Sequence, residues 1–285
     1  MNGRNIPLKI NCKGSLIDLN NPKVMGIINA TPDSFYDGGV NLAVEQALET
    51  AGEMLEAGAT FLDIGGYSSR PGADDIPVNE EIDRVVPIIE AIISEYPEAN
   101  ISIDTFRSSV ARAAIESGAA LINDINGGHL DKEMLNTVAD LQVPYIMMHM
   151  RGTPQTMKTL TNYDNLLVEI KDYFAQQLHS ARALGINDVI IDPGFGFAKT
   201  VEQNFQLLDS LQDLEIFELP VLAGVSRKSI IYKTLGITAK EALNGTTALN
   251  MIALNKGASI LRVHDVAPAM ECIALHNSLG NRREK

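Results

Sequence analysis

The chain has 285 residues, a net charge of −13, 45% hydrophobic residues and 21% charged ones, a balance that predicts a globular chain and argues against general nucleic-acid binding, which needs a basic face. No apolar run approaches the ~20 residues of a membrane span, and residues 1–10 hold no apolar signal core. Two cysteines, Cys12 and Cys272, make neither a disulfide framework nor a zinc spacing, so a cytoplasmic protein without membrane or nucleic-acid partners is expected.

Residues 9–12 and 15–18, joined at Lys13-Gly14, predict a hairpin within an N-terminal extension, 1–20, that caps the bottom of a barrel. Short apolar, β-branched runs then recur at 24–28, 60–64, 101–103, 120–122, 143–148, 188–191, 220–223 and 259–263. Both faces of each run are apolar, the pattern of strands buried in a parallel sheet. Helical spacing of apolar residues marks 42–57, 80–94, 108–117, 165–184 and 241–255. Four of these stop at Gly58, Gly118, Gly185 and Gly257, as left-handed caps favour, and 80–94 stops ahead of Pro97. Strand and helix alternate eight times without a compositional break. A single α/β domain over 1–285 is therefore predicted, a (β/α)8 TIM barrel, with an open doubly wound sheet as the alternative.

The residues that close the runs are Asn29, Asp63, Asp104, Asn123 with Asp124, His149, Asp192, Ser226 with Lys228, and Arg262 with His264. On a barrel these ends meet on one rim, where barrel enzymes place their active sites. Each alone is more often a helix cap or turn former; together they point to a shared site. Asp63, Asp104, Asp192 and Asn123 supply acceptors, and one amide donor, for the edge of a flat nitrogen heterocycle. Arg262 and His264, at i and i+2, share a face of the last strand. With Arg70 and Lys228 they read as a separate cationic corner for an anion, the alternative for Arg262 being a structural ion pair with a nearby Asp.

The Gly-bearing loop 31–39 is a lid candidate or a plain turn. Gly194-Phe195-Gly196-Phe197 lets backbone approach a ligand and offers Phe197 for stacking, in a spacing unlike the dinucleotide fingerprint. His129, His179 and His276 read as non-functional, and His149 has no assigned role.

Eight ordered segments closely resemble the dihydropteroate synthases of the folate pathway: MGIINATPDSFYDGG (25–39), DIGGYSSRPG (63–72), SIDT (102–105), INDI (122–125), MHM (148–150), DPGFGFAK (192–199), GVSRKS (224–229) and RVHDV (262–266). The resemblance runs from about residue 24 to 280. It implies a (β/α)8 transferase that condenses 6-hydroxymethyl-7,8-dihydropterin diphosphate with 4-aminobenzoate, giving 7,8-dihydropteroate and diphosphate. It also implies a sulfonamide target, a homodimer and Mg2+.

Carried over by position, the resemblance implies pterin contacts from Asp104, Asn123, Asp192 and Lys228. It implies diphosphate contacts from Asn29, Asp63, Arg70, Arg262 and His264, with Mg2+ beside Asn29. It implies an aminobenzoate site from Ser69, Arg70, Pro71, Phe197, Ser226 and Lys228, closed over by the loop 31–39. Asp63, Asp104, Asp192, Lys228 and Arg262 form the implied catalytic set. The family often has GGESTRPG where this chain has Tyr67 and Ser69. Ser69 keeps a hydroxyl; Tyr67 lacks the carboxylate and receives no role. The expected chemistry is stabilisation of the leaving group, a carbocation-like pterin and no general base. Three readings compete. Pterin-dependent methyltransferases do not account for the loop 31–39 together with the segment 226–228 and Arg262/His264. A non-catalytic pterin-binding paralogue has no reason to keep the anion site, and a sugar-phosphate barrel has no need of a ring-edge grip.

Overall fold

The computed structural model describes residues 8–30, 39–68 and 75–280. The first two strands, β1 (Lys9–Cys12) and β2 (Ser15–Asp18), form the expected antiparallel hairpin, turning through left-handed Lys13 and Gly14. The barrel strands follow: β3 (Lys23–Asn29), β4 (Phe61–Gly65), β5 (Asn100–Asp104), β6 (Leu121–Asp124), β7 (Tyr145–Met148), β8 (Val189–Asp192), β9 (Leu222–Ala223) and β10 (Ile260–Val263). All neighbours pair in parallel, in the order β8-β7-β6-β5-β4-β3-β10-β9. A single bridge between Ile191 and Val221, with the Ile191 N–H donating to the Pro220 carbonyl at 3.0 Å, joins β8 to β9. The sheet is thereby closed, which excludes the open doubly wound alternative.

Between the strands lie α1 (Gly39–Glu56), α2 (Val78–Glu95), α3 (Ser108–Glu116), α4 (Met134–Leu141), α5 (Leu166–Ala183), α6 (Val201–Asp209), α7 (Ser229–Leu235) and α8 (Leu243–Asn255), and α9 (Val266–Gly280) follows the last strand. The five helices expected from periodicity match α1, α2, α3, α5 and α8 to within a few residues. Helices α4, α6 and α7, of 8, 9 and 7 residues, are not among those expected from periodicity. Gly58, Gly118, Gly185 and Gly257 all have positive φ, as helix-ending glycines do.

Apolar side chains fill two regions. The larger lies between strands and helices, for example Leu62, Ile64, Ile101 and Ile103 against Val85, Ile88, Ile89 and Val110. The smaller is the barrel's interior floor, where Met25, Phe61, Leu121, Ile146, Ile190, Leu222 and Ile260 meet Leu8, Ile10, Cys12 and Leu19 from the hairpin segment. The hairpin thus covers the N-terminal ends of the strands. Successive side chains on a strand face opposite ways, so residues two beyond this floor again face inward. These are Ile27, Asp63, Asn123, Met148, Asp192, Gly224 and Arg262: within one pleat the apolar floor gives way to an interior that carries Asp63, Asp192 and Arg262.

Candidate active site

Arg262 sits at the centre of that polar layer. Its Nε donates to Asp63 Oδ2 at 2.5 Å and a terminal nitrogen donates to Asp104 Oδ2 at 2.6 Å. Burial works against the guanidinium's charge, but Asp63 and Asp104 outweigh it and hold the group protonated. Asp63 is fully buried, accepts also from the Asn123 amide at 3.0 Å, and leaves Oδ1 without a protein partner. Strand β4 continues for two residues beyond it, so Asp63 lies deeper than the strand end predicted for it. Burial pushes the Asp104 carboxyl up to about 7, against the pull of Arg262.

These contacts correct the expected separation of acidic and basic residues. Arg262 is not in a corner of its own; it ties Asp63 to Asp104, as the alternative ion-pair reading has it. The reason is electrostatic: a guanidinium on an inward strand position is stable only if carboxylates share its burial. A guanidinium carries more N–H donors than these two bonds use, so it can still reach a ligand.

Asp192, at the end of β8, is buried, and its Oδ1 accepts the Gly194 N–H at 2.8 Å. Burial raises its pKa, while Lys228, Arg262 and Lys199 pull it back down. Asp192 and Arg262 therefore lie on one rim, as expected. Lys228 opens α7, donates from Nζ to the Phe195 carbonyl at 2.6 Å, and holds that ammonium 4.9 Å from the centre of the Phe197 ring. Burial lowers its pKa to about 8, with Asp192 opposing the shift. Lys228 thus touches the aromatic wall and lies within the electrostatic reach of Asp192. Lys228→Ala removes a charge-assisted partner from both, so we expect the apparent affinity for each of two substrates to fall roughly tenfold or more. Titrations of each ligand alone check this, and an unchanged affinity for either would remove the dual role.

Ser226 is buried, with Oγ 2.9 Å from His264 Nδ1 and accepting the His264 N–H at 3.2 Å. Desolvation of the ring and then the Arg262 guanidinium push the His264 pKa down to about 4. The residue is nevertheless exposed by area, so the neighbouring cations are the firmer cause of that direction. The same cations favour the neutral ring while no anionic ligand is beside it. Asn29 ends β3 and is exposed at the same rim.

Ser69, Arg70, Pro71 and positions 31–38 of the lid candidate lie outside the described residues. Asp124 is structural: it accepts from the Tyr145 hydroxyl at 2.7 Å and from the N–H groups of Asn126 and Gly128 at 2.9 and 2.7 Å. Arg227 is structural too, paired with Asp265 through two bonds of 2.8 Å. Tyr67, where the family often has Glu, packs edge-on to Phe106 at 5.0 Å, and its hydroxyl accepts from Gln155 at 2.8 Å. Lys199 is the residue the sequence reading passes over. A lysine just before a helix reads as surface, yet this one is buried behind the 194–197 turn.

The chain matches the family described as pterin binding enzyme over residues 25–264. It is 41% identical to the dihydropteroate synthase of Escherichia coli over 279 residues, covering 97% of this chain and 98% of that one. It superposes on the Xanthomonas albilineans dihydropteroate synthase with 4-aminobenzoic acid at a TM-score of 0.90 and 39% identity, covering 96% of this chain and 99% of that one. A Yersinia pestis dihydropteroate synthase in a sulfonamide drug complex gives a TM-score of 0.90 at 40% identity, covering 96% and 100%.

Proposed function

The chain belongs to the pterin-binding enzymes, among the dihydropteroate synthases, and from that premise we propose how its own residues carry out the condensation. The observation that carries the reading is the polar layer itself: Asp104, Asn123, Asp192 and Lys228 around a blind interior, with Arg262 in the middle. Carboxylates and an amide suit the amino and ring N–H groups of a pterin edge. The diphosphate then lies outward, toward Asn29, His264 and the remaining N–H groups of Arg262. Aminobenzoate stands against Phe197, Ser226 and Lys228; the family resemblance adds Arg70 for the diphosphate and Ser69, Arg70 and Pro71 for the aminobenzoate.

In the reaction the methylene C–O bond breaks and its electron pair leaves with diphosphate. The arylamine nitrogen then forms the C–N bond and loses a proton to solvent. An arylamine is a weak nucleophile, so the barrier falls chiefly by easing departure of the leaving group. Arg262 and His264 do this by holding charge on the departing oxygens, and donors so placed contribute about 3 kcal/mol each. The diphosphate's own charge favours protonation of His264. From the other side, the Asp192 carboxylate favours positive charge spread over the pterin. No side chain is assigned as a strong base.

No cluster of three or more acidic, His or Cys side chains stands ready for a metal among the described residues. The Asn29 amide oxygen is a single hard donor. That set fits an Mg2+ that arrives with the diphosphate, since this ion keeps waters and takes few protein ligands. When bound, it supplies charge neutralisation on the leaving group.

We assign a second copy of the chain as partner, through α8 and α9, where Leu243, Ile252, Leu275 and Leu279 are exposed; sedimentation gives the mass. A cytoplasmic location fits two buried free cysteines, and among the described residues no helix is long and apolar enough to cross a membrane. Sulfonamides are expected to compete with aminobenzoate. The activity is tested by diphosphate release with both substrates and with each omitted in turn. Release only with both supports the synthase; methyl transfer to a corrinoid partner would replace it.

A further inference from the structure

Beneath the site lies a buried cation that the mechanism leaves unused. Lys199 is 8% exposed. Its Nζ donates to the carbonyls of Gly194 and Phe197, both at 3.0 Å, and lies 3.1 Å from His149 Nδ1. An ammonium has three N–H donors; the two carbonyls take two of them, and His149 Nδ1 lies within reach of the third. The two carbonyls bracket the 194–197 turn, so Nζ pins the turn from behind.

That turn serves the site at three points. Gly194 N–H donates to Asp192, the Phe195 carbonyl accepts from Lys228, and the Phe197 ring underlies the Lys228 ammonium. It is also pressed against β7. Gly194 has φ +73°, and a Cβ there would meet the His149 carbonyl oxygen at 2.1 Å. The titratable and charged groups around Lys199 and its His149 partner are Asp192 from β8, Lys228 from the start of α7, Arg151 beyond β7, His129, and Tyr163 and Tyr173, whose rings pack on His149. Asp192 is the one carboxylate in that set.

We propose that Lys199 is a positioning residue for the condensation: its ammonium holds the turn that seats Lys228 and Phe197, and it supplies positive charge behind Asp192. The proposal rests on reading this rim as the pterin site, and it adds a cation that never touches substrate. Burial lowers the Lys199 pKa to about 7, with Asp192 opposing the shift. The cation is therefore present on the acid side of neutrality, where Asp192, itself raised by burial, takes up its proton. Removing a nearby cation raises a carboxyl's pKa, so the acid limb of any Asp192-dependent step moves to higher pH.

The test compares Lys199→Gln, neutral but still able to donate to a carbonyl, with Lys199→Arg, which keeps the charge. Lys199→Met is a second neutral variant in case the Gln chain does not fold. Two profiles are measured from acid to alkaline pH, with a melting temperature for each chain. One is kcat/KM for dihydropterin diphosphate; the other is equilibrium binding of 6-hydroxymethyl-7,8-dihydropterin without aminobenzoate. The neutral variants are expected to shift the acid limb of both profiles upward by about half a pH unit or more, while the Arg variant follows the unaltered protein. Acid limbs that coincide in all chains, whatever the melting temperatures, would reduce Lys199 to packing and overturn the proposal. Turnover by the unaltered protein in the same assay tests the site's reading separately.

Discussion

Arg262→Met is expected to lower dihydropteroate formation by about a thousandfold or more and to lower the melting temperature as well. Both losses come from the same contacts. The guanidinium neutralises Asp63 and Asp104, and Asp63 is fully buried. Removing one member of a buried ion pair costs about 3–5 kcal/mol because the other charge stays behind. In catalysis, a lost donor to the departing diphosphate costs about 3 kcal/mol, and displaced carboxylates add to it.

The stability loss has a definite pH sign. Burial already raises the Asp104 carboxyl against the pull of Arg262; without Arg262 it rises further, and the folded chain binds a proton that the unfolded chain has released. Stability in the variant is then retained at low pH and lost as pH rises through that raised value. The melting deficit against the unaltered protein is therefore expected to be larger at pH 8 than at pH 5. Activity within tenfold of the unaltered protein would refute the central role of Arg262. A deficit that shrinks as pH rises would refute the electrostatic account.

Asp192→Asn is expected to separate function from folding. The amide keeps the shape and still accepts from Gly194, whose N–H lies 2.8 Å from Oδ1. What it removes is a negative charge facing Lys228, Arg262 and Lys199. Burial already raises the pKa of this carboxyl, so a neutral side chain is tolerated by the fold, and only a small change in melting temperature is expected. The chemistry depends on the charge. With no anion beside the ring, positive charge on the pterin gains less in the transition state, and kcat is expected to fall about a hundredfold. Initial rates and pterin titrations check this. A variant with unchanged kcat would show that Asp192 only binds.

Much of this site is legible in the chain because strand ends are. Asp104, Asn123 and Asp192 follow apolar runs and Arg262 lies near the end of one, and a barrel gathers such positions whatever lies between them. What was not legible depends on pairs far apart in sequence. Arg262 and Asp63 are separated by 199 residues, so nothing local distinguishes a cation waiting for an anion from one already sharing two carboxylates. Lys199 was missed because its burial follows from a backbone turn with positive φ at Gly194, Gly196 and Ala198. The glycines hinted at that conformation; the alanine gave no sign of it. The hairpin, by contrast, is readable from its turn residues; the rhythm of strand and helix favours a barrel, but its closure over an open sheet rests on the Ile191–Val221 bridge.

The lone bridge between Ile191 and Val221 has a mechanical consequence. The cylinder resembles a cask whose staves are firmly joined everywhere but at one seam, and Asp192 stands on one side of that seam with Lys228 on the other. A ligand gripped by both spans the gap like a hoop. Amide exchange around 191 and 221 is then expected to slow when pterin fills the well, tightening the vessel at the place where its wood is thinnest.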